Sequence, residues 1–400
     1  MSVLISREEI APLFSRHLKV PGIYLANHSL GRPLDAMQDE VNRFLAAWYE
    51  DMDGAWGPWL ETLHEYQGLV ASLLGLQDAH LVTLKTSAGQ GLRAVLNALP
   101  MDGTTRPVRV LATRGEFDSV DFILKSYVEK GRAEVFWLDS TEVGGVPEFH
   151  AEELVELCRT HRPDLMVCSS VHFATGRVMR GLDQVVEECR ALDTLTLIDT
   201  YHSFGVLPSA WPSGADFAIG GSYKYVHGGP GACWLAMSQR AASLGLRTLD
   251  TGWFAKRDLF GSARSEHAEL STDGRAWWES TPPVIVAAQA IAGLRFLRSL
   301  SVERLRATSL HQQAQLREIF TRNGLDCATP DDPTLQGAFS ILPAGNSHQV
   351  VENLASRQIK VDARSGFVRF GPHPLNTVEE FEATAHALSE IALTPRSSGD

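Results

Sequence analysis

Short and almost wholly apolar segments that alternate with amphipathic stretches most constrain the fold of this chain. Three of them are VRVLAT (108–113), DLMVCSS (164–170) and LTLID (195–199). Strands that are apolar on both faces are typical of a parallel sheet covered by helices on both sides. Helical stretches such as EELVELCRTH (152–161) lie between them. This alternation predicts a three-layer α/β domain with a mostly parallel sheet.

The pattern changes after Pro282 and Pro283. A long helical stretch is predicted from Val284 to about Leu300, continuing into VERLRATSLHQQAQLREIFTRNG. Short strands in AFSILPA and FVRFG and a final amphipathic helix then predict a small α+β domain.

The length of 400 residues favours two domains. We predict an N-terminal arm over residues 1–45 that joins the small domain, a large domain over 46–290 and a small C-terminal domain over 291–400. The large domain is expected to carry the ligand site, because ligands of open α/β sheets bind beyond the carboxyl ends of the strands.

Composition narrows the range of partners and cellular compartments expected for this chain. A net charge of -12 argues against nucleic acid or an anionic membrane as the partner, and favours a small-molecule substrate. Five cysteines without CxxC spacing, and a charged N-terminal segment where a signal peptide would be apolar, predict a cytoplasmic protein with reduced thiols. The histidines show no metal-ligand spacing, so no metal site is predicted.

Three residues that can carry chemistry follow neighbouring predicted strands. Asp199 ends LTLID, His202 comes three residues later, and Lys224 lies just past the strand FAIGGS (217–222). Upstream, TSAGQG (86–91) stands between a strand and a helix, where free backbone N–H groups and hydroxyls suit a phosphate dianion.

Together these residues favour pyridoxal 5′-phosphate (PLP) as the cofactor. A lysine amine forms a Schiff base with the cofactor aldehyde, and a carboxylate keeps the pyridine nitrogen protonated so that the ring accepts electrons. Each feature alone is weak, since a strand-end aspartate is commonly a turn residue. Their conjunction makes Lys224 the predicted attachment point.

The chain also resembles a known family, the kynureninases, which are class V PLP enzymes of the aspartate-aminotransferase fold (fold type I). The lysine segment SYKYVHGGPGA is the most specific part of the resemblance and the N-terminal segment the least. The matching segments are YLANHSLGRP (24–33), SSVHFATG (169–176), IDTYHSFGVLP (198–208), SYKYVHGGPGA (222–232), GWF (252–254), STPP (280–283) and VRFGPHPL (368–375).

The resemblance implies a role for individual residues. It implies that Lys224, Tyr223 and Asp199 are catalytic, with Lys224 moving the Cα proton and Tyr223 acting as a proton relay. The residues implied around the cofactor are Thr86, Ser87, Phe117, Ser169, Asp199, His202, Tyr223, Lys224, Trp253 and Thr281. The residues implied at the substrate are Arg369, which would take the α-carboxylate, with Ser29 and Trp56.

The implied reaction is hydrolysis of the Cβ–Cγ bond of L-kynurenine or a ring-substituted kynurenine, which gives L-alanine and an anthranilate. The resemblance also implies a homodimer with shared active sites, in which Trp253 and Thr281 reach the site of the partner subunit.

Some segments depart from the family pattern. The family segment Phe-Pro-(Ser/Thr)-Asp is replaced by Phe117-Asp118-Ser119-Val120, so the acid near the cofactor is either shifted to Asp121 or absent. His227 stands where the family has Asn. DGAWGPW (53–59) replaces a histidine-bearing stretch, and its two tryptophans either line an aromatic substrate pocket or serve ordinary packing.

Two other functions share many of these features. A class V aminotransferase would use the same cofactor residues, and a cysteine desulfurase-like lyase would need a mobile, exposed cysteine, for which Cys327 is the candidate. A non-catalytic PLP-binding regulator would carry a fused DNA-binding region, and no basic patch of that kind is present.

Overall fold

A computed structural model describes residues 4–101, 103–262 and 264–396. The strands in this part of the chain are β1 (Ile23–Tyr24), β2 (Val82–Lys85), β3 (Val108–Thr113), β4 (Ala133–Leu138), β5 (Thr141–Val143), β6 (Val146–Glu148), β7 (Leu165–Ser169), β8 (Leu195–Asp199), β9 (Phe217–Gly221), β10 (Cys233–Met237), β11 (Ser340–Pro343), β12 (Ile359–Lys360), β13 (Asp362–Arg364) and β14 (Phe367–Phe370).

The helices fall between these strands and at the two ends of the described chain. They are α1 (Arg7–Ile10), α2 (Ala36–Asp51), α3 (Trp56–Leu73), α4 (Ala88–Leu96), α5 (Asp118–Glu129), α6 (Ala151–His161), α7 (Leu182–Ala191), α8 (Gln239–Ser243), α9 (Val284–Leu300), α10 (Val302–Arg322), α11 (Ser347–Ser356) and α12 (Val378–Ser389).

A seven-stranded sheet in the order β2-β10-β9-β8-β7-β3-β4 forms the centre of the large domain. The strands β4, β3, β7, β8 and β9 run parallel, whereas β10 pairs antiparallel with both β9 and β2. Every residue of β7, β8 and β9 is buried. This burial explains why these segments are apolar throughout, and the predicted three-layer α/β class is confirmed.

The predicted strands at 108–113 and 195–199 have the same bounds in the structure. The prediction of a helix that continues past Leu300 is wrong. Ser301 takes φ 63°, and the helices on either side of it meet at a bend of 85°. A left-handed residue cannot continue a right-handed helix, and the Ser301 side chain instead accepts a hydrogen bond from Arg304 N.

The small domain is built on the antiparallel sheet β11-β14-β13. The N-terminal segment joins it through β1, which pairs parallel with β12, and through Leu25, which is buried in the core of this domain. Helix α9 instead packs against α2 and α3. The boundary predicted at residue 290 therefore lies inside a helix that packs with the large domain. The break between α9 and α10 at Ser301 lies eleven residues nearer the C-terminus.

The N-terminal arm also contacts the lysine loop directly. Gly31 N donates a hydrogen bond to Tyr223 O at 2.8 Å. A Cβ at Gly31 would lie only 1.9 Å from Lys224 O, so no residue larger than glycine fits there without moving the backbone. The arm thus braces the segment that carries Lys224.

Within the described residues, no single helix is long and apolar enough to cross a membrane. The bent pair α9 and α10 passes that test only when the two helices are taken together, by length and composition.

Candidate active site

A cavity of about 210 Å³ opens at the carboxyl edge of the large sheet, beyond β7, β8 and β9. Parallel strands end at one edge, so residues far apart in the chain meet there. Eight of the residues predicted around the cofactor line this cavity: Thr86, Ser87, Phe117, Ser169, Asp199, His202, Tyr223 and Lys224.

Lys224 lies between β9 and β10 with its amine inside the cavity. Its Nζ is 2.7 Å from His202 Nε2, and no carboxylate forms an ion pair with it in the described part of the chain. Burial lowers the pKa of Lys224 to about 7, partly opposed by the negative charge of Asp199. A large fraction of the amine is therefore uncharged at neutral pH, which is the form that attacks a carbonyl carbon.

Asp199 stands at the end of β8 on the cavity wall. Its Oδ1 accepts a hydrogen bond from Tyr201 N at 2.8 Å. Burial raises the pKa of Asp199, opposed by that hydrogen bond and by Lys224. A cationic group placed against this carboxylate would offset the cost of its burial, so the position suits a protonated ring nitrogen.

The N-terminus of α4 provides the third wall. Ser87 caps the helix by accepting a hydrogen bond from Gln90 N at 3.1 Å, and residues from Thr86 to Gly89 line the cavity. The positive end of a nine-residue helix and the two hydroxyls suit a phosphate group. Phe117 faces them, with its ring centroid 5.6 Å from Lys224 Nζ.

These residues fit PLP by the chemistry of their donor set. A buried and partly uncharged amine suits the aldehyde, a buried carboxylate suits the ring nitrogen, and a helix N-terminus suits the phosphate. His202 Nδ1 is in addition a buried polar atom that has no hydrogen-bond partner among the described residues, so the pocket has unused capacity to bind a polar group.

Arg369 lies in the fully buried strand β14 and is 3% exposed, so it is not a surface arginine. Its Nε donates to Asp362 Oδ1 at 2.8 Å and its second terminal nitrogen donates to Asp362 Oδ2 at 2.5 Å. A third hydrogen bond goes to Phe173 O. His28 Nε2 lies 2.7 Å from Asp362 Oδ1.

Burial alone would raise the pKa of Asp362, but the hydrogen bonds from His28 and Arg369 and the charge of Arg369 hold it below its ordinary value. Burial lowers the pKa of His28 to about 4, so His28 is neutral at pH 7 and donates its Nε2 proton. Arg369 is therefore the charge that keeps Asp362 ionised. The guanidinium is held in one orientation near Lys224, whose pKa it also lowers.

Five predicted residues do not line this cavity: Trp253, Thr281, Trp56, Ser29 and Arg369. Trp253 Nε1 donates to Thr281 Oγ1 at 3.1 Å, and the Trp56 ring packs edge-on 6.1 Å from Trp253. Ser29 is half-buried, and its backbone N–H donates to Ala26 O at 2.9 Å.

The structure shows the surroundings of Asp121 and His227, which concern two of the departures from the family pattern. Asp121 pairs with Lys125 at 2.6 Å on the outer side of α5 and does not line the cavity, so the acid is not shifted to this position. His227 takes φ 61°, a conformation that Asn and His tolerate better than most residues, and its Nδ1 lies 2.9 Å from Arg32 O.

Glu116 also lies at the site, although it was not predicted from the sequence. This carboxyl is 3% exposed, and its Oε2 lies 2.6 Å from Ser169 Oγ, behind the cavity wall. Burial raises the pKa of Glu116 to about 7. Its position directly before Phe117, three residues after the predicted strand 108–113, was the signal that could have identified it. No group of three or more His, Cys, Asp or Glu side chains that could hold a metal occurs in the described ranges.

Comparison with known proteins adds to this geometry. Residues 304–388 match the sequence profile of the kynureninase C-terminal domain. A kynureninase of Pseudomonas fluorescens is 26% identical over 97% of this chain and 94% of its own length. A kynureninase of Salinispora tropica is 26% identical over 92% of this chain and 89% of its own. Over nearly its whole length, the chain is similar to kynureninases. The predicted resemblance is confirmed.

Two solved enzyme structures share the fold. A cysteine desulfurase from Thermococcus onnurineus NA1 in its apo form superimposes with a TM-score of 0.82, at 14% identity, covering 98% of this chain and 99% of that one. An alanine–glyoxylate aminotransferase from Nostoc sp. gives a TM-score of 0.68 at 19% identity, covering 93% of this chain and 95% of that one. The prediction of fold type I is confirmed.

Proposed function

We propose that this protein uses PLP to hydrolyse the Cβ–Cγ bond of L-kynurenine or a ring-substituted kynurenine, giving L-alanine and an anthranilate. The observation that carries the proposal is the buried, partly uncharged Lys224 amine in one cavity with Asp199 and the α4 N-terminus. The similarity to kynureninases along nearly the full chain selects this reaction among those of class V enzymes.

When bound, PLP would supply an electron-accepting ring that stabilises negative charge at the substrate Cα. Lys224 would attach the cofactor and then move the Cα proton, for which a pKa of about 7 is well suited at neutral pH. Asp199 would hold the proton on the ring nitrogen.

Tyr223 and Arg369 would act on the substrate. Burial raises the pKa of Tyr223 to about 12, so its phenol is neutral and can donate a proton. Arg369 would bind the α-carboxylate, and for this it must share the guanidinium nitrogens that now bind Asp362 and Phe173 O. Asp362 keeps the guanidinium plane fixed, which favours two-pronged binding of a carboxylate.

A homodimer with shared sites is part of the proposal. Trp253 and Thr281 bind each other outside the cavity of their own chain, which fits residues that act in the site of the partner subunit. Exposed apolar side chains on α2 and near Trp253, such as Trp48, Tyr49 and Phe260, form a surface that a second copy would cover. We propose Ser29 and Trp56 as further residues that contact the substrate.

We also propose a cytoplasmic location. All five cysteines are free thiols, as expected in a reducing compartment.

An aminotransferase is the second candidate, because it would use the same lysine, aspartate and helix N-terminus. A desulfurase is disfavoured by its need for an exposed thiolate. Cys327 packs against the core of the small domain, and burial raises the pKa of its thiol to about 12. Cys233 lines the cavity, but burial raises the pKa of its thiol to about 11.

The test is to load the purified protein with PLP, add L-kynurenine or 3-hydroxy-L-kynurenine, and identify the products by mass. We expect alanine together with anthranilate or its hydroxylated form. A keto acid with no alanine would support the aminotransferase instead. In a separate sample, borohydride reduction and peptide mapping should place the pyridoxyl group on Lys224.

The exposed Lys125 offers a matched control for the mapping, since its side chain is 55% exposed and paired with Asp121. Lys125→Ala should leave labelling intact, whereas Lys224→Ala should abolish it. Labelling of any lysine other than Lys224 would refute the cofactor assignment.

A further inference from the structure

Glu116 is buried against the back of the cofactor cavity without an ion pair in the described part of the chain. Its Oε1 accepts hydrogen bonds from Thr113 Oγ1 at 2.7 Å and from Ser169 N at 3.1 Å. Its Oε2 lies 2.6 Å from Ser169 Oγ. Oε1 thus already has two donors, so a proton on this carboxyl resides on Oε2 and points at Ser169 Oγ.

The pair separates two cavities. Ser169 lines the cofactor cavity, where it is the register partner of Asp199 on β8. Glu116 lines a second cavity of about 470 Å³, which is open on its far side and contains Arg114 and Asp118. Glu116 can therefore exchange its proton with solvent in the second cavity. Its protonation state changes the hydrogen bonding of Ser169 in the first cavity.

The charges that face Glu116 come from several elements. Burial raises the pKa of Glu116, and the hydrogen bonds from Ser169 and Thr113 lower it. The negative charge of Asp199 on β8 raises it again, and the resulting pKa is about 7. Cys168 on β7 is a buried neutral thiol, because its pKa lies above the ordinary value. His172, in the loop after β7, has a pKa lowered to about 4 by burial and is therefore neutral. The other charged side chains near Glu116 line the more open second cavity: Arg114, Asp118, Asp121, Lys125, Glu142 and Arg396.

We propose that Glu116 is a positioning residue that sets the hydrogen-bonding polarity of Ser169 toward the cofactor cavity. When Glu116 is protonated, Oε2 donates to Ser169 Oγ, and the Ser169 hydroxyl is free to donate into the cavity. When Glu116 is ionised, the Ser169 hydroxyl donates to Oε2, and only lone pairs of Oγ face the cavity. The protonation state of Glu116 Oε2 thus determines whether Ser169 presents a hydrogen-bond donor or only an acceptor to the cofactor cavity.

The effect on the cofactor rests on the proposed function, but the protonation of Glu116 does not. The first test is therefore infrared difference spectroscopy of the full chain without PLP, titrated from pH 5 to 9. We expect the carbonyl band of one protonated carboxyl to be lost around pH 7. Glu116→Gln should remove this band, and Ser169→Ala should move its loss upward by about one pH unit, because a hydrogen bond that favours the ionised form is removed.

Asp216→Asn is the matched control, because Asp216 is an equally buried carboxylate of the same sheet but lies before β9 and is paired with Arg240. This variant should keep the titrating band. The inference is overturned if no carboxyl of the wild-type chain titrates between pH 6 and 8, or if the band survives Glu116→Gln. If Glu116→Gln does not fold, Ser169→Ala decides: an upward displacement supports the pair and an unchanged midpoint rejects it.

The second test uses the PLP-loaded protein. In Glu116→Gln the amide oxygen would keep the hydrogen bonds from Thr113 Oγ1 and Ser169 N, so the amide NH2 would donate to Ser169 Oγ and imitate the protonated carboxyl. The change of cofactor absorbance around pH 7 should therefore disappear in this variant. An absorbance titration identical to that of the wild type would overturn the proposed effect on the cofactor. Failure of the wild-type chain to bind PLP would reject the proposed function, whereas the infrared result on Glu116 would still stand.

Discussion

Replacing Lys224 by Met should stabilise the cofactor-free protein at neutral pH. The native environment lowers the pKa of this lysine from its ordinary value of 10.5 to about 7. Between these two values the unfolded chain binds a proton that the folded chain does not, so the free energy of unfolding of the wild type rises with pH across this window. At pH 7 and below, the burial of the amine destabilises the fold.

The magnitude follows from the same values. The two pKa values of Lys224 differ by about 3.5, which corresponds to a loss of at most about 5 kcal/mol in the free energy of unfolding. The substitution also removes the hydrogen bond to His202 Nε2, and leaving that buried nitrogen unpaired costs about 1–3 kcal/mol. Met fills a similar volume without a charge, so we expect a net gain of about 1–4 kcal/mol at pH 7. The gain should shrink as the pH rises and become a small loss near pH 10.5, where only the missing hydrogen bond still separates the two proteins.

Urea unfolding of the cofactor-free wild type and Lys224→Met at pH 7 and pH 10 measures this difference. Lys85→Met is an informative contrast, since Lys85 is equally buried but donates to Trp277 O and to Glu279 Oε1. Burial lowers the pKa of Lys85 as well, but its removal leaves two acceptors unpaired, so we expect a smaller gain than for Lys224→Met at pH 7 and a loss at pH 10. A Lys224→Met variant that is less stable than the wild type at pH 7, or a difference independent of pH, would refute the reasoning.

Three further outcomes are expected of the PLP-loaded protein. Asp199→Ala should reduce turnover far more than the unfolding midpoint, because the carboxylate is itself costly to bury; near-normal turnover would make it only a turn residue. Arg369→Lys should raise the KM for kynurenine about 10- to 150-fold with an unchanged cofactor spectrum, because one ammonium cannot bind Asp362 and the substrate together. Unaltered KM and kcat values for both Arg369→Lys and Arg369→Ala would show that Arg369 does not bind the substrate carboxylate. Mixing inactive Lys224→Ala and Trp253→Ala subunits should restore activity, because one site of each mixed dimer is then intact, and no recovery would argue against shared sites.

The sequence was sufficient for the features that depend on local patterns. Parallel strands buried on both faces must be apolar, so β7, β8 and β9 could be recognised within one or two residues. Because such strands end at one edge, Asp199, His202 and Lys224 could be brought together before any coordinates were known. The break at Ser301 could not be foreseen, since serine has no strong preference for the left-handed conformation that ends α9.

Tertiary structure alone decided which partner each polar group found. Glu116 and Ser169 are 53 residues apart, and they meet only because β3 and β7 are adjacent in the sheet. Asp362 and Arg369 approach because β13 and β14 pair antiparallel, whereas Asp121 faces outward on α5. The pKa values of these groups depend on burial and on charges supplied by distant segments, so they are properties of the folded chain. Sequence therefore identified the chemical groups, and folding determined their protonation and orientation.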